Sequence, residues 1–423
     1  MDISSIIKEQ RQELEQIEKR EKIIDRERLK EARSYLNHPN IVVITGIRRC
    51  GKSIFSYLME KGSKFAYINF DDERLADLKA EDLDKVLQAF YELYGEIEYI
   101  ILDEPQNIKG WELFANRLRR TKRVIITGSN SQLLSGELTT HLTGRYIDIK
   151  LLPFSFKEFL NFKNFELSKS YTTQEKAKIL NYLQEYLVSG GFPEVYKFGK
   201  PILLTIYETI LNKDLILRYG INKIKEFKDL AKYLISNSAE EITYSKLSDS
   251  LGIKHVSTVS NWVSYLENAF LIFKLERFDF KLKQQFIAPK KVYCSDTGMV
   301  DLIGFKFSEN AGKILENSVA IELQRKKQKN FNLEVYYWKD AQQNEVDFVI
   351  KEKTKVTQII QATYINKRQE LKEKRIMPLL KASDALRCNN LLVITWDYEG
   401  EEIKEGKTIK FISLWKWLLE NGI

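Results

Sequence analysis

An apolar run that ends at Gly46-Ile47-Arg48-Arg49-Cys50-Gly51-Lys52-Ser53 leaves this chain few folds to choose from. The segment satisfies G-x-x-x-x-G-K-[ST], follows the β-rich stretch 41–45 and opens a helical stretch, 54–61. Glycines at both ends let backbone N–H groups close around phosphate oxygens, and the helix N-terminus adds a favourable dipole. The loop residues Gly46, Ile47, Arg48, Arg49, Cys50, Gly51, Lys52, Ser53 and Ile54 are therefore expected to hold a nucleotide. Lys52 would bridge the β- and γ-phosphates and the Ser53 hydroxyl would ligate magnesium, which makes ATP and Mg²⁺ the expected cofactors. Cys50 lies inside the loop, so thiol alkylation is expected to block ATP unless ATP is already bound.

Some fifty residues on, Ile100-Ile101-Leu102-Asp103-Glu104 reads as an apolar strand delivering two carboxylates beside that loop. Asp103 would hold Mg²⁺ through water, and Glu104 would polarise the attacking water as general base. A site that only binds has no need of the second carboxylate, so the pair implies hydrolysis. A further strand ends at Thr127-Gly128-Ser129-Asn130, where Asn130 is the chosen γ-phosphate or water contact, with a turn residue as the alternative. Arg145 would stabilise charge on the transferring phosphate, acting across a subunit interface in a homo-oligomer, or else form an ordinary ion pair. Gln106 either senses nucleotide state or is a surface residue after Pro105.

The rest of the chain is read by period and punctuation. Residues 3–36 are dense in Glu, Lys and Arg, with thin apolar spacing, and predict one long solvated helix. Strand–helix alternation from 41 to about 151 predicts a parallel α/β sheet covered on both faces, and 155–219 a helical lid broken at Gly190-Gly191-Phe192-Pro193. Three short helices and two strands over 225–295 follow the order of a winged helix. Its recognition helix, 256–268, would bury Val256, Val259, Val263 and Leu266 and free Lys254, His255, Ser257, Thr258 and Asn261 for DNA. Lys281, Lys283, Lys290 and Lys291 would flank the wing. Helix 311–327 and strands 335–338, 346–350, 356–363 and 391–395 close the chain as an α/β domain.

The expected divisions are a charged helix (1–37), the ATPase core (38–154), the lid (155–222), the winged helix (223–300) and the C-terminal domain (301–423). Three cysteines without a C-x-x-C pair and three histidines (His38, His141, His255) argue against disulfides and a His-rich metal centre. No run of 18 apolar residues appears and the N-terminus is charged, which predicts a cytoplasmic chain with no membrane partner. The net charge of +8 favours a polyanionic partner, nucleic acid above all.

Gly46-x-Arg48-Arg49-x-Gly51-Lys52-Ser53, Asn69-Phe70-Asp71-Asp72, Leu102-Asp103-Glu104-x-Gln106 and Thr127-Gly128-Ser129 are carried together. With Gly144-Arg145, Leu152-Pro153-Phe154-Ser155-Phe156 and Gly190-Gly191-Phe192-Pro193, the chain resembles a prokaryotic family of AAA-like P-loop ATPases. The family ends in a domain of unknown function similar to restriction endonucleases. The resemblance implies an AAA-type (ASCE) core with helical lid, a winged helix and a PD-(D/E)xK-like α/β domain. In the last, Glu316, Asp347 and Gln361 would form the nuclease-like site, but Gln361 is a weak metal ligand and Thr363 stands where the lysine belongs. A fold kept for binding or structure is therefore expected, rather than cleavage. The leading expectation is an ATP-hydrolysing machine acting on DNA; a nucleotide-state switch docking a protein and an ATP-gated nuclease are the alternatives.

Overall fold

The computed structural model describes residues 2–134, 142–168, 170–304 and 310–420, so His141 lies outside the described residues. The chain divides into two compact units. One holds Met1–Pro153, Asn161–Phe165 and Asn268–Phe270; the other holds Phe154–Leu160, Glu166–Glu267 and Leu271–Ile423.

The first unit is built on five parallel strands: β1 (Ile41–Thr45), β2 (Phe65–Asn69), β3 (Tyr99–Asp103), β4 (Arg123–Gly128) and β5 (Tyr146–Lys150). Their order is β2-β3-β4-β1-β5. Every residue of β1 is buried, as expected for a β-branched run covered on both faces. Helices Lys52–Met59, Leu83–Tyr94 and Trp111–Leu118 each turn an apolar stripe inward. Parallel strands share one C-terminal edge. With β4 between β1 and β3, the chain leaves Thr45, Asp103 and Gly128 side by side, in the register Thr45↔Gly128 and Asp103↔Thr127.

The N-terminal region departs from the single solvated helix expected. Two helices, Ile3–Arg20 and Leu29–Tyr35, are separated by a non-helical stretch. The first buries Ile6 and Ile7 in the core of this unit, and its Leu14 is buried as well. Its Gln10 donates from Nε2 to the Asn69 carbonyl (3.1 Å) and accepts at Oε1 from the Asn69 N–H (2.9 Å). Strand β2 is an edge strand, and this side-chain amide occupies the backbone groups a further strand would take.

In the second unit, helices Phe156–Phe162, Thr173–Ser189 and Ile202–Thr209 precede three more, Ile224–Ser236, Tyr244–Ser250 and Val256–Asn268. The last three accompany an antiparallel sheet, β6 (Glu240–Ile242), β7 (Ile272–Leu275) and β8 (Lys290–Cys294), in the order β6-β8-β7. Strand β6 is too short to leave a period-2 signature. Helix Val256–Asn268 buries Val259, Trp262, Val263 and Leu266, with Trp262 edge-on to Phe227 at 5.5 Å. Val256 is 45% exposed rather than buried, because it is the first residue of the helix and overhangs the surface that helix packs on.

A mixed sheet of six strands closes the unit: β9 (Leu333–Lys339), β10 (Glu345–Glu352), β11 (Lys355–Thr363), β12 (Leu391–Thr395), β13 (Gly400–Lys404) and β14 (Lys407–Ser413). The order is β13-β14-β12-β11-β10-β9, parallel only where β12 meets β11 and β14. Helix Asn310–Lys329 joins it to the three-stranded sheet. Asn317 accepts from the Cys294 N–H (2.9 Å) and donates to the Cys294 carbonyl (3.0 Å), serving β8 as Gln10 serves β2. No described helix is long and apolar enough to cross a membrane, and Cys50, Cys294 and Cys388 are all buried free thiols.

Candidate nucleotide site

The loop after β1 is shaped by what glycine alone tolerates. A Cβ on Gly46 (φ 152°) would stand 2.1 Å from the Leu151 carbonyl oxygen, so no side chain fits there. Gly51 has φ 97° and Arg49 φ 66°, which turns successive backbone groups into a concave nest before helix Lys52–Met59 begins. Arg26, from the break between the first two helices, braces this turn: its guanidinium donates to the Cys50 carbonyl (3.0 Å) and the Leu152 carbonyl (2.6 Å). The Cys50 thiol is turned inward, donating to the Leu151 carbonyl at 3.3 Å, and burial pushes its pKa up. That runs against the expectation that alkylation here would compete with ATP, since the sulfur is fully buried.

Inside the nest the Lys52 ammonium donates to the Gly46 (3.1 Å) and Ile47 (3.2 Å) carbonyls and lies 3.8 Å from Glu104 Oε1. Asp103, 2% exposed, accepts at Oδ2 from the Tyr67 hydroxyl (2.7 Å) and at Oδ1 from the Thr127 hydroxyl.

Glu104 follows Asp103 in a left-handed conformation (φ 51°, ψ 44°), uncommon for a residue with a Cβ and a reservoir of local strain. The twist turns its carboxylate back toward Lys52. Oε2 accepts from the Ser129 N–H (3.1 Å), the Ser129 hydroxyl (3.0 Å) and the Gln106 amide. Burial pushes the Glu104 carboxyl up, against the pull of the Lys52 ammonium. Gln106 is thus no surface residue: its amide holds the Glu104 carboxylate, and its Oε1 is buried without a hydrogen-bond partner. Sequence reasoning missed Ser129 and Tyr67. The signal for Ser129 was a small polar residue directly after Gly128, passed over for Asn130. Asn130 is fully buried just beyond the end of β4.

Arg145 is not brought to this site. Its carbonyl accepts from the Ile41 N–H, which places it at the N-terminal end of β1, while the phosphate loop leaves the C-terminal end. Five strand residues separate the two edges, on the order of 16 Å. Its guanidinium contacts Asn116 at 3.4 Å. Arg48 pairs with Asp71 at 3.4 Å, tying the loop to the turn after β2.

The second unit gathers Glu316, Asp347 and Gln361 into one buried cluster. Gln361 Nε2 and the Ala362 N–H both donate to Asp347 Oδ2, at 2.7 and 2.8 Å. A lysine does join the cluster, from an unexpected direction: Lys291 of β8 sits 2.8 Å from Glu316, 2.7 Å from Glu345 and 3.5 Å from Asp347. Lys291 is therefore 2% exposed and cannot flank a wing as expected. The segment between β7 and β8 also carries a short helix, Leu282–Ile287. Among the expected DNA contacts Lys254, His255, Ser257 and Asn261 are exposed and Thr258 is half-buried. No group of three or more His, Cys, Asp or Glu side chains among the described residues is arranged to hold a metal ion.

A glycine-shaped loop on β1, paired carboxylates ending β3 and polar residues ending β4 between them define an AAA-type P-loop ATPase core. Residues 38–160 match the AAA domain family, 180–308 the domain of unknown function DUF8612, and 311–417 the domain of unknown function DUF4143. The chain belongs to the family of "Uncharacterized protein MJ1544" of Methanocaldococcus jannaschii, to which it is 37% identical over 404 residues, 90% of this chain and 89% of that one. An "Uncharacterized protein" of Haemophilus influenzae is 34% identical over 306 residues, 68% of this chain and 74% of its own. Among solved structures, the Walker-type ATPase PABY2304 of Pyrococcus abyssi has 16% identity and a TM-score of 0.44, covering 67% of this chain and 97% of its own.

Proposed function

We propose that this protein hydrolyses ATP with Mg²⁺ to drive or regulate action on nucleic acid, DNA before RNA. The observation that carries the hydrolytic reading is Glu104, twisted onto Lys52 and clamped on one carboxylate oxygen by Ser129 and Gln106. A carboxylate held this way keeps Oε1 toward the phosphate loop as a proton acceptor, and its raised pKa suits a base. The loop residues fit a nucleotide: the turn at Arg49 (φ 66°) and Gly51 (φ 97°) makes a concave nest ahead of helix Lys52–Met59. Lys52 would carry phosphate charge in place of its present carbonyl partners, and Ser53 and Asp103 would hold the magnesium. The bound nucleotide supplies the phosphoryl group. Arg145, at the far edge of the sheet, serves a neighbouring chain in a homo-oligomer; a fall in the Arg145→Ala rate, restored by mixing with Lys52→Ala chains, tests this.

The nucleic-acid part rests on helix Val256–Asn268, which buries one face and leaves Lys254, His255, Ser257 and Asn261 in solvent beside a three-stranded sheet. Three helices and such a sheet are the parts of a winged helix. The deciding experiment is steady-state ATP hydrolysis with and without single-stranded DNA, duplex DNA and RNA, with Glu104→Gln as blank. Several-fold stimulation by one polymer supports the nucleic-acid reading and identifies the substrate. Basal turnover indifferent to all of them transfers the proposal to a protein-directed switch.

A further inference from the structure

The cluster around Lys291 asks what a buried ammonium is doing among three carboxylates. Lys291 has three N–H donors, and Glu316, Glu345 and Asp347 stand around them at 2.8, 2.7 and 3.5 Å. The Tyr293 hydroxyl donates to the same Glu316 oxygen, at 2.8 Å, and the Tyr337 ring lies 5.9 Å from the ammonium. One acceptor in the cluster is left over: Gln361 Oε1, on a residue 1% exposed, has no hydrogen-bond partner. Without the ammonium, the same space would present carboxylate oxygens of Glu316, Glu345 and Asp347, hard ligands of the kind that take Mg²⁺, Mn²⁺ or Ca²⁺.

The position of Lys291 is fixed by its backbone. Strand β8 pairs with β6 and β7, and Asn317, one residue after Glu316, clamps Cys294 of the same strand. Close by, the Tyr337 hydroxyl donates to the Pro289 carbonyl at 2.6 Å, and Lys339 bridges Glu241 (2.7 Å) and Glu345 (3.4 Å). Lysine and carboxylates come from separate family segments, residues 180–308 and 311–417, within one compact unit.

We propose that Lys291 is an internal counter-ion: its ammonium occupies the cation position of the carboxylate cluster, closes the cluster to divalent metal, and fastens the three-stranded sheet to the C-terminal domain. The C-terminal fold then works as a rigid partner of the three-helix module and not as a metal-dependent nuclease. Removing an ammonium from three carboxylates, of which Glu316 and Asp347 are buried, leaves charge that must find another cation or destabilise the fold.

Mn²⁺ binding to the nucleotide-free full chain, followed by equilibrium dialysis and by the paramagnetic signal of free Mn²⁺, tests this. The native protein and Asp347→Asn are expected to bind Mn²⁺ identically. Lys291→Ala is expected to gain one Mn²⁺ per chain, at an affinity at least about tenfold above any native binding, and Lys291→Ala with Asp347→Asn to lose it again. The thermal midpoint of Lys291→Ala should fall and be partly restored by Mn²⁺. A native protein that loses one Mn²⁺ on Asp347→Asn overturns the proposal, because the cluster then holds metal beside the lysine. A folded Lys291→Ala that gains none overturns it as well. If Lys291→Ala does not fold, the comparison of native protein with Asp347→Asn decides alone.

Discussion

At the scale of single residues, the site is a set of carboxylates whose behaviour is set by what hydrogen-bonds them. Glu104→Gln keeps the shape but removes the proton acceptor proposed above, so kcat should fall by roughly a hundredfold or more while ATP binding survives, read by steady-state hydrolysis and nucleotide titration. Ser129→Ala removes one of the clamps on Glu104 Oε2 and keeps the backbone N–H. A fall in kcat of about three- to tenfold at little-changed KM is expected, with Ser129→Thr restoring most of it. Asp296 carries a pH prediction. Burial pushes its carboxyl up from 3.8 to about 6, against backbone N–H donors that include Gly191 (2.6 Å). A raised acid favours the protonated folded state, so its stabilising contribution is complete below about pH 4 and is lost as pH rises through 6. Urea unfolding of native protein against Asp296→Asn should show the difference shrinking by at most about 3 kcal/mol across that window. Of these residues, Lys52, Ser53, Asp103 and Glu104 were legible because a spaced motif constrains local backbone. Ser129, Tyr67 and Lys291 were not, because each acts on a residue tens of positions away and only the folded register brings them together.

At the scale of elements, strands were read well where they are buried on both faces and poorly where they are not. The runs that became β1 and β3 announce themselves as continuous apolar stretches, whereas β6, β13 and β14 are short or half-polar and were missed. The charged N-terminal region was misread for a related reason: its few apolar positions looked too thin to pack, yet Ile6, Ile7 and Leu14 suffice when Gln10 and Arg11 bond the edge strand directly. Its helical break is equally purposeful, since Arg26 reaches the phosphate loop from there. Arg26→Ala should cost about 2–3 kcal/mol by leaving two buried carbonyls unpaired, and ATP affinity should fall with it; urea denaturation and nucleotide titration check both.

At the scale of the whole molecule, the sequence pointed to the phosphate-binding core and to an α/β C-terminal part. It did not reveal that the lid helices cluster with the C-terminal segments instead of with the core, because that division depends on contacts across hundreds of residues. The buried thiols make a global prediction. Cys50, Cys294 and Cys388 are all buried, and burial pushes each thiol's pKa up. A colourless-to-coloured disulfide reagent should therefore titrate almost no thiol in the folded protein, with or without ATP, and all three after denaturation.

Past the end of the short β6, the amide of Asn317 takes up the Cys294 backbone of β8, across the seam between two family segments. A seam stitched by a side chain is a poor place for recombination. A chimera that joins this chain up to residue 308 to a relative's ending inherits Lys291 and the Cys294 backbone, and must receive an asparagine and its carboxylates in step. The two segments are thus expected to travel as one cassette: exchanging both together should give folded hybrids, and exchanging either alone should not.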